Sequence, residues 1–272
     1  MFKGHVLLFK NYLQSRDREK VLEEILQFKP IWEYRYSPHN PPPEGEKNRL
    51  LLRPVYWLGN WQFACLNYYH PPKGIQFRCV KAEKYPPLMQ KIVQDIEKRV
   101  HQNWSAQDIP KGWHLNTCLI NYYGTRLEDD RKIDAARVGE HKDFEPGPVG
   151  SLSFGEKALF QFVQSHGKQS QSHVALQQWL EDNSLQIFGG NRYKNKLFHR
   201  VQRVDRKVTG FLPEIQIPQF QVRRINLTFR YVPDEHIQDL HKFPSTLQSD
   251  IKPYIQELSQ SSTFWSETLN QK

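Results

Sequence analysis

The sequence predicts a mainly β protein in which helices support a double-sheet or barrel-like core. Three observations carry this. Six short apolar or alternating runs follow Leu115, each bounded by turn-forming residues. One strongly amphipathic helix precedes them. No flexible linker interrupts residues 80–230, so one structural domain is expected.

Taken in order, GHVLLF (4–9) reads as a short strand. Ser15 is placed to cap a helix whose Val21, Leu22, Ile25 and Leu26 share one face. The proline-rich YSPHNPPPEGEKN (36–48) can only be loop. Between Leu50 and Val80 several short strands are expected, carrying Tyr56, Trp57, Trp61, Phe63, Tyr68, Tyr69 and Phe77. They are broken at Gly59-Asn60 and at Pro71-Pro72-Lys73-Gly74. In PPLMQKIVQDIEKRV (86–100) the prolines sit where a helix needs no amide donors, and Leu88, Met89, Ile92, Val93, Ile96 and Val100 form one stripe. The six runs are LNTCLINYY (115–123), VGSLSFG (149–155), ALFQFV (158–163), SLQIFGG (184–190), KLFHRVQRV (196–204) and RRINLTFRYV (223–232). VALQQWLED around Trp179 fits a brief helix or a strand. The last forty residues are polar, with a weak pattern around DIKPYIQELSQ that fits an appended helix or a loose tail.

The bulk composition is that of a globular chain: 272 residues, 38% hydrophobic, 25% charged and 13% aromatic. The formal charge of +9 invites a polyanion, although many basic proteins never meet one. Three cysteines, Cys65, Cys79 and Cys118, form no CxxC pair, so neither a disulfide framework nor a structural zinc cluster is suggested. The N-terminal run lacks the length and cleavage site of a secretory leader, and no stretch reaches 18 apolar residues. The expectation is a monomer without a membrane span, cytoplasmic or, in a eukaryote, nuclear.

EHKDF (140–144) raises the question of a metal. On extended backbone, residues two apart share a side, so His141 and Asp143 can reach one ion. Two imidazoles and one carboxylate on one face of an octahedral iron leave three positions for a cosubstrate and oxygen. The third ligand must come from elsewhere. His166 and His173 flank a polar loop, and His70 and His114 sit beside strand ends. His199, inside the apolar LFHRV, is either a core histidine or that ligand. On a strand, Arg224, Asn226, Thr228 and Arg230 of RINLTFR face one way and Ile225, Leu227 and Phe229 the other. Two arginines and an asparagine projecting together are costly unless they meet anions, and the arginine fork suits a carboxylate. An ordinary amphipathic strand with a wet face has the same pattern. Asn121 and Tyr123 repeat the geometry on another strand.

The ordered set NYY (121–123), HKDFE (141–145), SLSFG (151–155), LFHRV (197–201) and RINLTFR (224–230) resembles the AlkB family of iron(II)- and 2-oxoglutarate-dependent dioxygenases. The resemblance spans roughly residues 100 to 232. It implies a double-stranded β-helix, or jelly roll, over 111–235. Residues 1–110 would pack on that core and include a substrate-recognition region, and 236–272 would be a polar extension. It further implies His141, Asp143 and His199 as Fe(II) ligands, and Arg224 on the distal carboxylate of 2-oxoglutarate with Asn121 and Tyr123 beside it. Asn226 and Arg230 would lie near the metal-proximal carboxylate. Glu145 stands where repair members carry an acid that approaches the target base. Phe144 replaces a residue commonly polar in the family, and the charged 124–140 stretch is longer than in compact members. The implied cofactors are Fe(II), 2-oxoglutarate and O2.

The implied activity is oxidative demethylation of alkylated bases in DNA or RNA. NRYKNKLFHRVQRVDRK (191–207) supplies a basic surface around His199, with Arg200 and Arg203 as candidate backbone contacts. Its alternative reading is a solvated edge strand. The same chemistry on a protein side chain or small molecule would fit Phe144 and the insertion. A silent nucleic-acid-binding module would retain the fold without turnover.

Overall fold

The computed structural model describes residues 6–66, 78–164, 172–204 and 207–270. From the N-terminus come β1 (Val6–Phe9), α1 (Ser15–Leu26), β2 (Val55–Leu58), β3 (Asn60–Trp61), β4 (Cys79–Lys81) and α2 (Pro87–Asn103). The core strands follow: β5 (Thr117–Glu128), β6 (Arg131–Asp134), β7 (Val138–His141), β8 (Val149–Gly155), β9 (Ala158–Gln164), β10 (His173–Leu180), β11 (Ser184–Phe188), β12 (Phe198–Gln202) and β13 (Phe220–Arg230). Last are β14 (Ile237–Gln238), α3 (Ser245–Ser259) and α4 (Thr263–Asn270).

Period-two alternation sorts the core strands into two facing sheets, while β14, β4 and β3 form a separate three-stranded sheet. The larger runs β1-β11-β8-β13-β5-β2, with β6 on the end of β5; the smaller runs β10-β9-β12-β7. This is the double-stranded β-helix, mainly β with supporting helices. One face of the larger sheet, through Ile120, Tyr122, Leu152, Phe154, Ile225, Leu227 and Phe229, packs on helices that contribute Val21, Ile25, Met89, Ile92, Ile96 and Ile255. A second apolar cluster, Val149, Phe160, Phe162, Leu180, Phe188, Leu197 and Val201, fills space between the sheets. The site described below shares that inter-sheet space, which is why the polar faces of β5, β8 and β13 need an explanation.

Local chemistry sets the turns. Gly59, at φ +76°, links β2 to β3, and a Cβ there would lie 2.1 Å from the Asn116 carbonyl oxygen. Asp129 and Asp130 both have positive φ, 47° and 60°, and close the β5–β6 hairpin; short polar side chains tolerate that conformation.

Several expectations are corrected. The α1 helix begins at Ser15, with Gln14 at the cap position and no side-chain cap bond. Of the ambiguous VALQQWLED, all but Glu181 and Asp182 lies in β10, paired with β9 from His173↔Gln164 to Leu180↔Ala158, because cross-strand partners decide what a short apolar run leaves open. The 124–140 stretch is the far end of β5, β6 and β7, and Asp134 ties it to Arg223 at 3.1 Å. The C-terminal segment is no loose tail: Ile251, Ile255, Leu258 and Trp265 are all about fully buried, at 0–1% exposure. The expected break at 71–74, with Tyr68, Tyr69 and Phe77, lies outside the described residues. Among the described residues no helix is long and apolar enough to cross a membrane.

Candidate active site

Strand register brings the two histidines together. His141 ends β7 and stands directly opposite His199 on β12, with ring centroids 4.2 Å apart. Asp143 follows two residues later, and His199 Nε2 lies 3.6 Å from its Oδ2. The ligand atoms of all three fall within 4.8 Å of one another. His141 Nδ1 is 2.8 Å from the Gly139 carbonyl oxygen, which can only accept, so Nδ1 carries the proton and Nε2 keeps its lone pair. The His199 ring stacks on Phe160 at 5.4 Å and 15°.

The carboxylate of Asp143 is divided in its loyalties. Its Oδ1 accepts from Arg230 Nε at 3.0 Å and from Nη2 at 2.8 Å. Its Oδ2 is buried and has no hydrogen-bond partner. A buried carboxylate oxygen left bare is costly, and a cation between it and two imidazoles removes that cost. The donor set therefore fits a 2-His-1-carboxylate iron site. Burial opposes the Asp143 charge, but Arg230, His199 and Lys194 together hold its pKa well below the usual carboxylate range. Burial lowers the pKa of His141, and burial with the neighbouring His141 pushes His199 well down, so both imidazoles favour the neutral, ligating form.

Three strands line one pocket with this triad. Leu119, Asn121 and Tyr123 come from β5, Ser151 from β8, and Arg224, Asn226, Thr228 and Arg230 from β13, as the alternation of RINLTFR predicts. Register sets Asn226 opposite Asn121 on one side and Ser153 on the other. Phe160, Leu180, Phe188 and Val201 add apolar wall. Arg224 is 3% exposed; its Nη2 donates to Ser153 Oγ at 3.1 Å and its Nε has no partner. Burial lowers its pKa. Asn226 is committed internally: Nδ2 donates to Ser151 Oγ, the Leu152 carbonyl and Ser153 Oγ, while Oδ1 accepts from Thr228.

Other expected residues are placed differently. Arg230 pairs with Asp143 and lies 3.8 Å from Glu145. Glu145 is 2% exposed and accepts from Gln62 Nε2 at 3.0 Å, so it faces inward. Phe144 lies under the Arg78 guanidinium at 4.7 Å. Of the basic run, Lys194 is buried in the wide helical turn Asn191–Lys196 and donates to the Asp143 carbonyl. Arg200 pairs with Glu140 at 2.7 Å and with Gln161, and Lys207 pairs with Asp134. Arg192, Lys196 and Arg203 remain exposed, while Asp205 and Arg206 lie outside the described residues.

Sequence reasoning missed Arg53, Gln62 and the role of Lys194. Arg53 donates from Nε to Asn121 Oδ1 at 2.7 Å and lines the pocket. It precedes Pro54 outside any periodic run, so no pattern pointed to it.

A sequence profile described as the 2OG-Fe(II) oxygenase superfamily matches residues 5–230. The chain belongs to this superfamily. The AlkB-like resemblance is thereby supported over most of the length, and the His141, Asp143 and His199 cluster is consistent with the metal site of a 2-oxoglutarate oxygenase. Among solved structures, the one titled "The structure of OsALKBH1" is similar in fold, at TM-score 0.51 and 19% identity, covering 85% of this chain and 100% of that one. A search of curated proteins gives no match.

Proposed function

We propose that this oxygenase removes alkyl groups from bases of DNA or RNA. The observation that supports the substrate most directly is the surface beside the third ligand. Arg192 and Lys196 before β12 and Arg203 after it are exposed, and 191–204 contains no acid. A phosphate backbone held there would run beside the pocket, and a base leaving its stack would reach the triad.

The residue roles follow from charge and reach. His141, Asp143 and His199 hold Fe(II). Arg224 takes the distal carboxylate of 2-oxoglutarate, with Tyr123 beside it. Arg230 keeps Asp143 ionised and oriented. The walls Phe160, Leu180, Phe188 and Val201 keep water from the reacting centre. With iron bound, the site couples oxygen and 2-oxoglutarate, released as succinate and CO2, to insertion of one oxygen atom into a substrate C–H bond. On an N-methyl group the product is a hemiaminal, which loses formaldehyde and restores the base.

One observation favours a second reading. Glu145, which the family resemblance sets beside a target base, is held inward by Gln62. That suits a protein side chain or small molecule as substrate. Methylated single-stranded DNA and RNA oligonucleotides, assayed for formaldehyde and succinate together, separate the two. Equal release of both products supports the nucleobase reading. Succinate release that no oligonucleotide stimulates overturns it, and oligonucleotide binding without iron-dependent turnover would leave a binding module.

A further inference from the structure

Arg53 and Arg224 approach the same tyrosine. The Arg53 guanidinium carbon lies 4.9 Å from the Tyr123 ring centroid, and that of Arg224 lies 4.8 Å from it. Both arginines line the pocket that holds the metal triad. Among the described residues, neither forms an ion pair, whereas their neighbours Arg223 and Arg230 each do. Two guanidinium groups sharing one aromatic ring repel each other across a poorly solvated space. The ring faces offset part of this, and an anion offsets more.

The hydrogen bond of Arg53 carries a second consequence. Guanidinium N–H groups only donate, so the atom of Asn121 at 2.7 Å is its oxygen. The Asn121 Nδ2 then remains the donor end of the amide, on a side chain that lines the pocket together with Arg224 and Tyr123. Free of Arg53, the amide could flip and offer an acceptor where a carboxylate has to sit.

We infer that Arg53 is a positioning residue for the cosubstrate: it fixes Asn121 as a donor and adds the second positive charge that makes the pocket select a dicarboxylate. This rests on the reading of the pocket as the 2-oxoglutarate site. Its reach differs from that of Arg224, which acts on the carboxylate itself. Arg53 acts through Asn121 and through its field, so it governs which 2-oxo acid is held as well as how tightly.

The test is equilibrium binding to the Mn(II)-loaded protein, by calorimetry, of 2-oxoglutarate and of the monocarboxylate 2-oxobutyrate. Arg53→Gln should weaken 2-oxoglutarate by about tenfold to a hundredfold, the range for a lost charge-assisted contact. It should leave 2-oxobutyrate within about twofold, so the preference between the acids collapses. Arg53→Lys should retain part of the preference through its charge. Mn(II) affinity and melting temperature, measured on each variant, must match the parent, because a distorted site would move those too. Unchanged 2-oxoglutarate binding in a folded Arg53→Gln protein overturns the proposal. So does an effect confined to oligonucleotide affinity, which would assign the arginine to the substrate. Loss of nucleobase demethylation activity plays no part in either outcome, so the substrate reading stands or falls separately.

Discussion

Two buried charge clusters sit at opposite ends of β13, and they differ in completeness. At one end Arg223, its side chain 1% exposed, spreads its donors over Glu156 at 3.1 and 3.2 Å, Asp134 at 3.1 Å and the Thr125 hydroxyl. Glu156 accepts a further bond from the Val208 amide at 2.9 Å. At the other end Asp143 Oδ2 is bare, and within the adjoining pocket so is Arg224 Nε. Both clusters are charged and centred on a buried arginine, yet one closes on itself and the other stops short. A closed network fixes structure; an open one has valence left for something that arrives later.

The largest effect should come from removing a member of the open set. Asp143→Ala or His199→Ala should abolish turnover and Mn(II) binding seen by electron paramagnetic resonance, while the protein stays folded. Retained stoichiometric Mn(II) binding would remove the triad from the metal site. Next, Arg223→Met should cost about 3–5 kcal/mol by urea unfolding, since it strands the buried carboxylate of Glu156, while Asp134 keeps Lys207; at low temperature Mn(II) affinity should hold. Arg224→Ala should do the reverse: 2-oxoglutarate binding should fall by about tenfold or more, with stability little changed, because the buried charge removed has no ion-pair partner among the described residues, only the Ser153 hydroxyl and the Tyr123 ring. If both arginine variants lost stability equally, the contrast between the clusters would collapse.

Glu33 sharpens the comparison as an intermediate case. It is 1% exposed and is met by neutral donors alone, the indole N–H groups of Trp57 and Trp61 and the Ala64 amide. Burial pushes its pKa up from 4.5 to about 7. The folded state thus holds the proton more tightly than the unfolded chain. Its contribution to stability is full below pH 4.5 and is lost as the pH rises through about 7. Across that window unfolding free energy should drop by about 1 kcal/mol per pH unit from this group, and Glu33→Gln should flatten the slope in urea titrations at successive pH values.

These clusters also mark what could be read beforehand. The alternation of RINLTFR put four polar residues on one face, because period two survives in any strand, and the HxD spacing did the same for His141 and Asp143. Arg223 escaped notice because the β13–β5 register shifts between Val222 and Arg224, a bulge that lets two consecutive arginines both be buried. Lys194 looked like surface charge because a wide helical turn carries no sequence signature to mark its buried side. The helices α3 and α4 hid behind polar composition, since their apolar contacts rest on a few side chains such as Trp265. Arg53 was illegible for a plainer reason: its partner lies 68 residues away.

The cross-strand pairing of His141 with His199 has one more consequence. Strand β7 is the rim of the smaller sheet and joins β12 through only two register pairs, His199↔His141 and Val201↔Val138, with an irregularity between them. An ion gripping both imidazoles would pin that rim to its neighbour. Amide exchange across 138–141 should then slow on metallation and quicken on chelation, and a protease offered the metal-free protein should find its first cut there.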